Sequence, residues 1–462
     1  MGEKRKVPDP PYALSLTGLL LMFGPQAINF GLSVGGGETM LVPYCASIGG
    51  VPLFWLMTLS TIFETALVYE CIKYSMITGR SFFTATRDIP PKKFWPWFWV
   101  VMTLLAIWWP SWLAGAASAI YKLSGFGSHF FWCALALTVL IIVFVFSKYI
   151  YPVIEKFFMF IFIFNMIFAI VVASFLATPA DVIDLLKGYF NFGLLGWPKG
   201  FPIGLAASLI QQPGGSTMWV AWWVLEAGFA MGVYSGKVTG PLRPPEEINV
   251  EEIPWDVNDP NEVSKMKKWL RLGKWGLIIF WSIIGAIIGT FLYGLIGYSY
   301  LYKRGIVASG LDVPLQVAIA AQGVLGPVAG IIMLIFIALT LYDAEFGYYD
   351  VMGRVVADSI ATAPKIKGKR PYRFFYFLAV ILSVLAGYYL VTIAMPFELW
   401  LVSSFAALLY KCFGMPQILY INMKRLPKQF KPAWYTVVIL VVGTIVSTIF
   451  AILWGLSYFK VI

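Results

Sequence analysis

Eleven apolar runs, each about twenty residues long or longer, divide this chain and leave it few folds to adopt. They cover roughly residues 13–49, 51–77, 95–121, 127–147, 152–177, 201–235, 274–302, 327–357, 373–394, 396–421 and 432–458. A helix of about twenty apolar residues crosses the hydrocarbon core of a bilayer. Inside that core every peptide group needs a partner, so such runs read as membrane-spanning helices and not as open sheet. The composition agrees. Hydrophobic residues make up 60% of the 462 and charged residues only 12%, too few to clothe a water-facing surface. The chain is expected to be an all-α integral membrane protein with about eleven transmembrane helices. Runs 1, 6 and 8 exceed one straight crossing, so they must tilt, break or extend beyond the bilayer.

The formal charge of +11 sits in short loops between apolar runs, the pattern of membrane orientation and not of nucleic-acid binding. With the N-terminus in the cytoplasm, only Lys122, Lys187, Lys199, Lys303, Arg304 and Lys460 fall outside, and Lys73 and Lys411 fall near inner ends of spans; the rest of the 34 basic residues lie inside. This predicts a multi-pass protein of the cell membrane, with a cytoplasmic N-terminus and a C-terminus outside. Cys45, Cys71, Cys133 and Cys412 lack metal-binding spacing and read as small buried hydrophobes. One histidine, His129, excludes a histidine-rich metal centre. The first apolar run is too long, and lacks a cleavage site, to be a removed signal peptide. A single sizeable hydrophilic stretch, 236–272, reads as a cytoplasmic linker.

Two spans carry helix breakers where a continuous helix is expected. Span 1 contains "SVGGGETMLVP": Gly35, Gly36 and Gly37 permit unwinding, and Glu38 beside them is costly in lipid unless it faces a cavity. Span 6 contains "SLIQQPGGSTMW", in which Pro213, Gly214 and Gly215 interrupt the helix and Gln211, Gln212, Ser216 and Thr217 supply polar groups. Paired interruptions of this kind point to the central site of a secondary transporter, where freed peptide groups meet the solute. Small residues that only let helices pack closely are the competing explanation.

Other acids lie within apolar runs. In span 8, Asp343, Gly347, Asp350 and Arg354 form one helical stripe, with Asp350 and Arg354 spaced to pair. Asp343 is the deepest of them, and Glu345 is rotated to another face. In span 2, Glu70 and Lys73 are spaced to pair, and Glu64 lies further into the membrane. Glu226 falls where span 6 ends, as a helix cap or a gate. Asp343 is thus a binding candidate, and Glu64, Glu226, Glu345 and Asp350 are gating or coupling candidates.

Several segments resemble one family. "GPQAINFGLSVGGGETMLVPYCASIGG", "YECIKYSMITGR", "PGGSTMWVAWWVLEAGFAMG", "MGRVVADSI" and "LYINMKRLPKQFKPAWY" are similar to spans 1, 2, 6, 8 and 10 of a divergent prokaryotic branch of Nramp-like divalent-metal transporters. The resemblance implies a LeuT-like fold of two inverted five-helix repeats plus an added helix, with helices 1 and 6 broken around the substrate. On that plan residues 1–12 are a cytoplasmic N-terminus, 13–177 the first repeat, 201–421 the second with linker 236–272 inside it, and 432–458 helix 11. Well-studied members supply Asp and Asn from span 1 and a Met from a Met-Pro-His run in span 6. Here the Asp is absent, the Asn position reads Glu38, the Met position Gln212 and the His position Gly214. Without a thioether the donors are hard oxygens, which suit Mg2+ or Mn2+ better than softer metals. Span 3 carries no Asp, Glu or His, so the family's usual proton relay is missing from it.

The expectation is therefore alternating-access transport of a divalent cation. Glu38 and Gln212 would ligate the metal, Gly35, Gly36 and Gly37 would lend carbonyls, and Gln211, Gly214, Gly215, Ser216 and Asp343 would complete the site. No cofactor is expected; the partners are the lipid bilayer and a small solute. "GGGETMLVP" also resembles the first break of amino-acid permeases, which would make the substrate an amino acid or other small organic ion. A membrane-embedded enzyme would need clustered histidines or paired acidic motifs that this sequence lacks.

Overall fold

The computed structural model describes residues 4–11, 15–35, 37–108, 110–212, 217–308, 312–361, 372–392 and 396–459. Among them all regular structure is helical, apart from the isolated bridges Arg5–Trp255 and Tyr149–Thr239. Seven of the helices are each long and apolar enough to cross a membrane: Phe94–Ser124, His129–Phe146, Ile150–Leu176, Pro260–Arg304, Pro327–Ala361, Tyr372–Leu390 and Trp434–Tyr458. These coincide with expected spans 3, 4, 5, 7, 8, 9 and 11. The other expected spans are interrupted (1 and 6) or carry buried charge: Glu64, Glu70 and Lys73 in Trp55–Thr78, and Lys411 in Pro396–Arg425.

Polarity is distributed inside out. Val139, Ile142 and Phe146 of span 4, Ile167 and Phe175 of span 5, and Ile445 and Ile452 of span 11 are exposed. Glu64, Asp343, Glu345, Asp350 and Lys411 are fully buried. A chain that turns its branched aliphatic residues outward and its charges inward is built for lipid. The four cysteines are free, as expected, although Cys412 is only partly buried.

Ordinary local rules set the helix ends. Ser128 accepts the Phe131 amide at 3.1 Å to start span 4. Gly79 ends span 2 in the left-handed region, φ 67°, with its amide bonded to Ser75 O. Two helices lie outside the expected spans, Pro179–Phe190 between spans 5 and 6 and Asp312–Leu325 between spans 7 and 8. The first begins with a capping box between Thr178 and Asp181.

The linker differs from expectation. Its last third is helical from Pro260, capped by Asp259 on the Asn261 amide at 2.8 Å, and runs without interruption into span 7. Upstream of that it is strapped across the end of span 2. The Ile253 amide bonds Thr78 O at 2.8 Å, Trp255 Nε1 bonds Ile77 O at 2.9 Å, and Ser235 Oγ bonds Gly79 O at 2.9 Å. The N-terminal segment lies along it, with the Arg5 amide on Pro254 O at 2.8 Å and Trp269 Nε1 on Pro8 O at 3.0 Å.

Candidate functional site

Span 1 departs from α geometry ahead of its glycine run. Helix Leu16–Phe30 passes into a π-helical turn over Gly31–Gly35, and an α-helix resumes over Gly37–Gly49. The departure from α geometry thus begins at Gly31, four residues before the position expected from the glycine run. A π-turn shifts the bonding register and leaves carbonyls for other partners. Ser33 Oγ donates to Asn29 O at 2.7 Å, and the Tyr348 hydroxyl donates to Leu32 O at 2.9 Å. Gly36 and the Glu38 side chain lie outside the described residues.

Span 8 presses on this turn. A Cβ at Gly31 would stand 2.3 Å from Phe158 Cδ1 and 3.0 Å from Asp343 Oδ2, so only glycine fits. Asp343 is buried and neither carboxylate oxygen has a hydrogen-bond partner among the described residues. Its carboxylate and the widened turn of span 1 are therefore brought together. Glu345, also buried and also lacking a hydrogen-bond partner among the described residues, faces away, beside Cys133 of span 4 and Tyr349. The sequence expectation that these two acids occupy different faces holds.

Span 6 is interrupted. Its first half, Ile203–Gln211, ends at Gln212 in an extended conformation (φ −75°, ψ 146°). Pro213, Gly214, Gly215 and Ser216 lie outside the described residues, and the chain resumes as a short turn over Thr217–Trp219 and helix Val220–Glu226. Gln212 Nε2 donates to Gln211 Oε1 at 2.9 Å, while Gln212 Oε1 is buried without a partner among the described residues. Gln211 is already committed: its side-chain oxygen serves Gln212 and its carbonyl receives Lys411 Nζ at 2.9 Å. Of the two glutamines, Gln212 is the one whose side-chain oxygen is left over.

Lys411 corrects the sequence reading. It does not lie near the inner end of span 10 but sits, fully buried, at the interruption of span 6. There its ammonium is 2.8 Å from Glu64 Oε2 and 2.6 Å from Ser60 Oγ of span 2. The signal was present: one lysine in "LVSSFAALLYKCFGMPQILYI" is an intramembrane cation, which calls for a named partner.

The remaining acids gather where the linker packs. Arg354 Nε bonds Asp350 Oδ2 at 2.8 Å, the spaced pair expected, and Arg354 Nη1 reaches Glu226 Oε1 at 2.6 Å. Asp350 also receives Trp223 Nε1 at 2.9 Å and the Tyr376 hydroxyl at 2.5 Å. One turn further, Asp358 receives Ser81 Oγ at 2.5 Å, Trp222 Nε1 at 2.8 Å and the Tyr372 hydroxyl at 2.8 Å. Asp358 was missed, though it extends the stripe of Asp350 and Arg354 by another four residues. The network ties spans 6, 8 and 9 and the end of span 2 together around a cavity of about 30 Å³, which Glu226, Arg354, Asp358 and Tyr372 help to line. Glu70 and Lys73 pair at 2.7 Å as expected, with Asn422 Nδ2 on Glu70 at 2.7 Å.

Among the described residues no group of three or more His, Cys, Asp and Glu side chains is placed to hold a metal ion. Besides Glu64 and Ser60, which hold Lys411, the side-chain oxygens placed at the interruptions are Asp343 against span 1 and Gln212 at the end of the first half of span 6.

Comparison with known proteins gives the fold its context. No protein-family model matches the chain, and no curated protein matches it by sequence. Solved structures do match. A manganese transporter of Eremococcus coleocola superposes with a TM-score of 0.66 at 15% identity, covering 96% of this chain and 88% of that one. Mhp1, a nucleobase-cation-symport-1 family transporter crystallised with bromovinylhydantoin, gives 0.54 at 12% identity over 95% and 93% of the two chains. MhsT in complex with L-phenylalanine gives 0.53 at 12% identity over 99% and 100%. The chain is a multi-pass, all-α membrane protein with the LeuT-like transporter fold of these structures.

Proposed function

We propose that the chain is a secondary-active transporter working by alternating access, with its solute bound between the interrupted spans 1 and 6. The observation that carries this reading is the paired disturbance of the two spans, with an unpartnered buried carboxylate, Asp343, set against the first and an unpartnered amide oxygen, Gln212 Oε1, at the second. Irregular backbone at membrane depth is tolerated where it lines a cavity or a binding site. The favoured solute is a divalent cation with hard oxygen ligands, Mg2+ or Mn2+. Glu38 and Gln212 act as metal ligands, the carbonyls of Gly35, Gly36 and Gly37 contribute, Gly214, Gly215 and Ser216 complete the site, and Asp343 adds a second carboxylate. Transport needs no cofactor. The likeness to a manganese transporter supports a metal.

In the same reading residues 13–177 and 201–421 form the two repeats, 432–458 adds the last helix, the N-terminus is cytoplasmic and the C-terminus lies outside. The end that carries the linker is then the cytoplasmic one.

Uptake of Mn2+ and Mg2+ into proteoliposomes tests the proposal. Wild-type protein should carry one of them, and Glu38→Gln should lose most of the flux. Equal flux in the variant removes Glu38 from the site. A second reading, transport of an amino acid or other small organic ion, is favoured by the likeness to MhsT and Mhp1, both crystallised with organic ligands. A thermal-shift screen of metals against amino acids separates the two, since only a bound solute raises the melting temperature.

A further inference from the structure

The ammonium of Lys411 occupies a position that resembles an ion site more than a salt bridge. Four described oxygens surround it: Ser60 Oγ at 2.6 Å, Glu64 Oε2 at 2.8 Å, Gln211 O at 2.9 Å and Ile210 O at 3.1 Å. They comprise one carboxylate, one hydroxyl and two peptide carbonyls. The carbonyls belong to the last turn of helix Ile203–Gln211, and because Gln212 turns away in an extended conformation the helix cannot satisfy them itself. A helix C-terminus with free carbonyls carries partial negative charge and attracts a cation. Rings of carbonyl and hydroxyl oxygen are also how proteins replace the hydration shell of an alkali ion.

Span 10 holds the other side of the same interruption. A Cβ at Gly414, one turn from Lys411, would stand 2.5 Å from Met218 Sδ, and the Tyr410 ring lies 5.5 Å from that of Trp219. Met218 and Trp219 begin the second half of span 6. The lysine therefore sits where span 10 bridges the two halves, with its charge directed at the half that ends in free carbonyls.

We propose that Lys411 is a tethered cation filling a monovalent-cation site at the interrupted end of span 6, and that removing its side chain opens that site to a free ion. An ammonium matches potassium in charge and nearly in size, so the vacated site should prefer potassium, ammonium or methylammonium to the smaller sodium ion. Glu64 supplies the balancing charge, and without any cation its buried negative charge would not be neutralised, which is strongly unfavourable. The inference concerns how the break is held and is independent of which solute the protein carries.

The test compares wild type, Lys411→Ala and the neutral double variant Lys411→Met/Glu64→Gln in choline, sodium, potassium and ammonium chloride at equal ionic strength. Wild type should melt at the same temperature in all four. Lys411→Ala should melt lower in choline and recover by about 2–4 °C or more in potassium or ammonium, and less in sodium. Recovery of folded variant only from membranes extracted in potassium or ammonium supports the proposal equally. A Lys411→Ala protein that responds to none of the salts, or that cannot be recovered in any of them, overturns it. So does a double variant that keeps wild-type stability and uptake, because the break would then need no cation.

Discussion

Arg354 Nη1 lies 2.6 Å from Glu226 Oε1, joining the C-terminal third of the long span 8 helix to the last residue of the second half of span 6. Both side chains are almost fully buried, and the same guanidinium holds Asp350. Removing it with Arg354→Met leaves two carboxylates buried in one place, at a cost of about 3–5 kcal/mol. Glu226→Gln retains a hydrogen-bonding oxygen for Arg354 and the Val238 amide, and should cost about 1–2 kcal/mol. Denaturation of the two variants in detergent checks the order; equal losses would show that the charge of Glu226, and not its hydrogen-bonding oxygen, holds the network.

Gly31 permits span 8 to approach span 1. Gly31→Ala forces apart Phe158, which is packed, and Asp343. Overpacking of this kind costs about 1–3 kcal/mol. Because the displaced carboxylate faces the proposed solute site, uptake should fall further than stability does. A variant that is destabilised yet transports normally per folded molecule would separate Asp343 from the solute path.

Asp343→Asn gives the complementary result. A buried carboxylate without a partner opposes folding, so the amide should leave the melting temperature unchanged or raise it. Uptake in proteoliposomes should drop roughly tenfold or more, equivalent to about 1.4 kcal/mol. Loss of folding in place of loss of uptake would make Asp343 a structural residue.

Outside the membrane, Asp181 links the helix that follows span 5 to Lys303 beyond span 7. Burial raises its carboxyl pKa, but bonds from Lys303, the Thr178 amide and Ser299 outweigh this and hold it below its ordinary value. A depressed carboxyl stabilises the fold above the unfolded-state pKa, and that contribution is lost as pH falls through the folded value. Asp181→Asn should therefore cost about 1 kcal/mol near neutrality, through the lost capping box and ion pair. The melting-temperature gap from wild type should narrow as the pH drops toward 3. A gap that widens in acid would contradict the assignment.

Most of the fold was legible because the bilayer imposes a simple rule, about twenty apolar residues per crossing, and because paired acids and bases at helical spacing, such as Asp350–Arg354 and Glu70–Lys73, interact within one element. Span boundaries such as His129–Phe146 and Ile150–Leu176 follow directly. What escaped depends on distance in sequence. Lys411 meets Glu64 and Gln211 across 347 and 200 residues, and no local pattern encodes those encounters. Asp358 was within reach, since its spacing continues a visible stripe. The π-turn at Gly31 was not, because the glycine run at 35–37 is the stronger local signal, while the widening is set by packing of Phe158 and Tyr348 against span 1.

The strap of residues 253–255 gives the linker a mechanical role. It clasps the backbone of span 2 at Ile77 and Thr78 and then stiffens into the helix that becomes span 7, so a shift of the end of span 2 is carried through bonds to its main chain into the start of span 7, as through a crank.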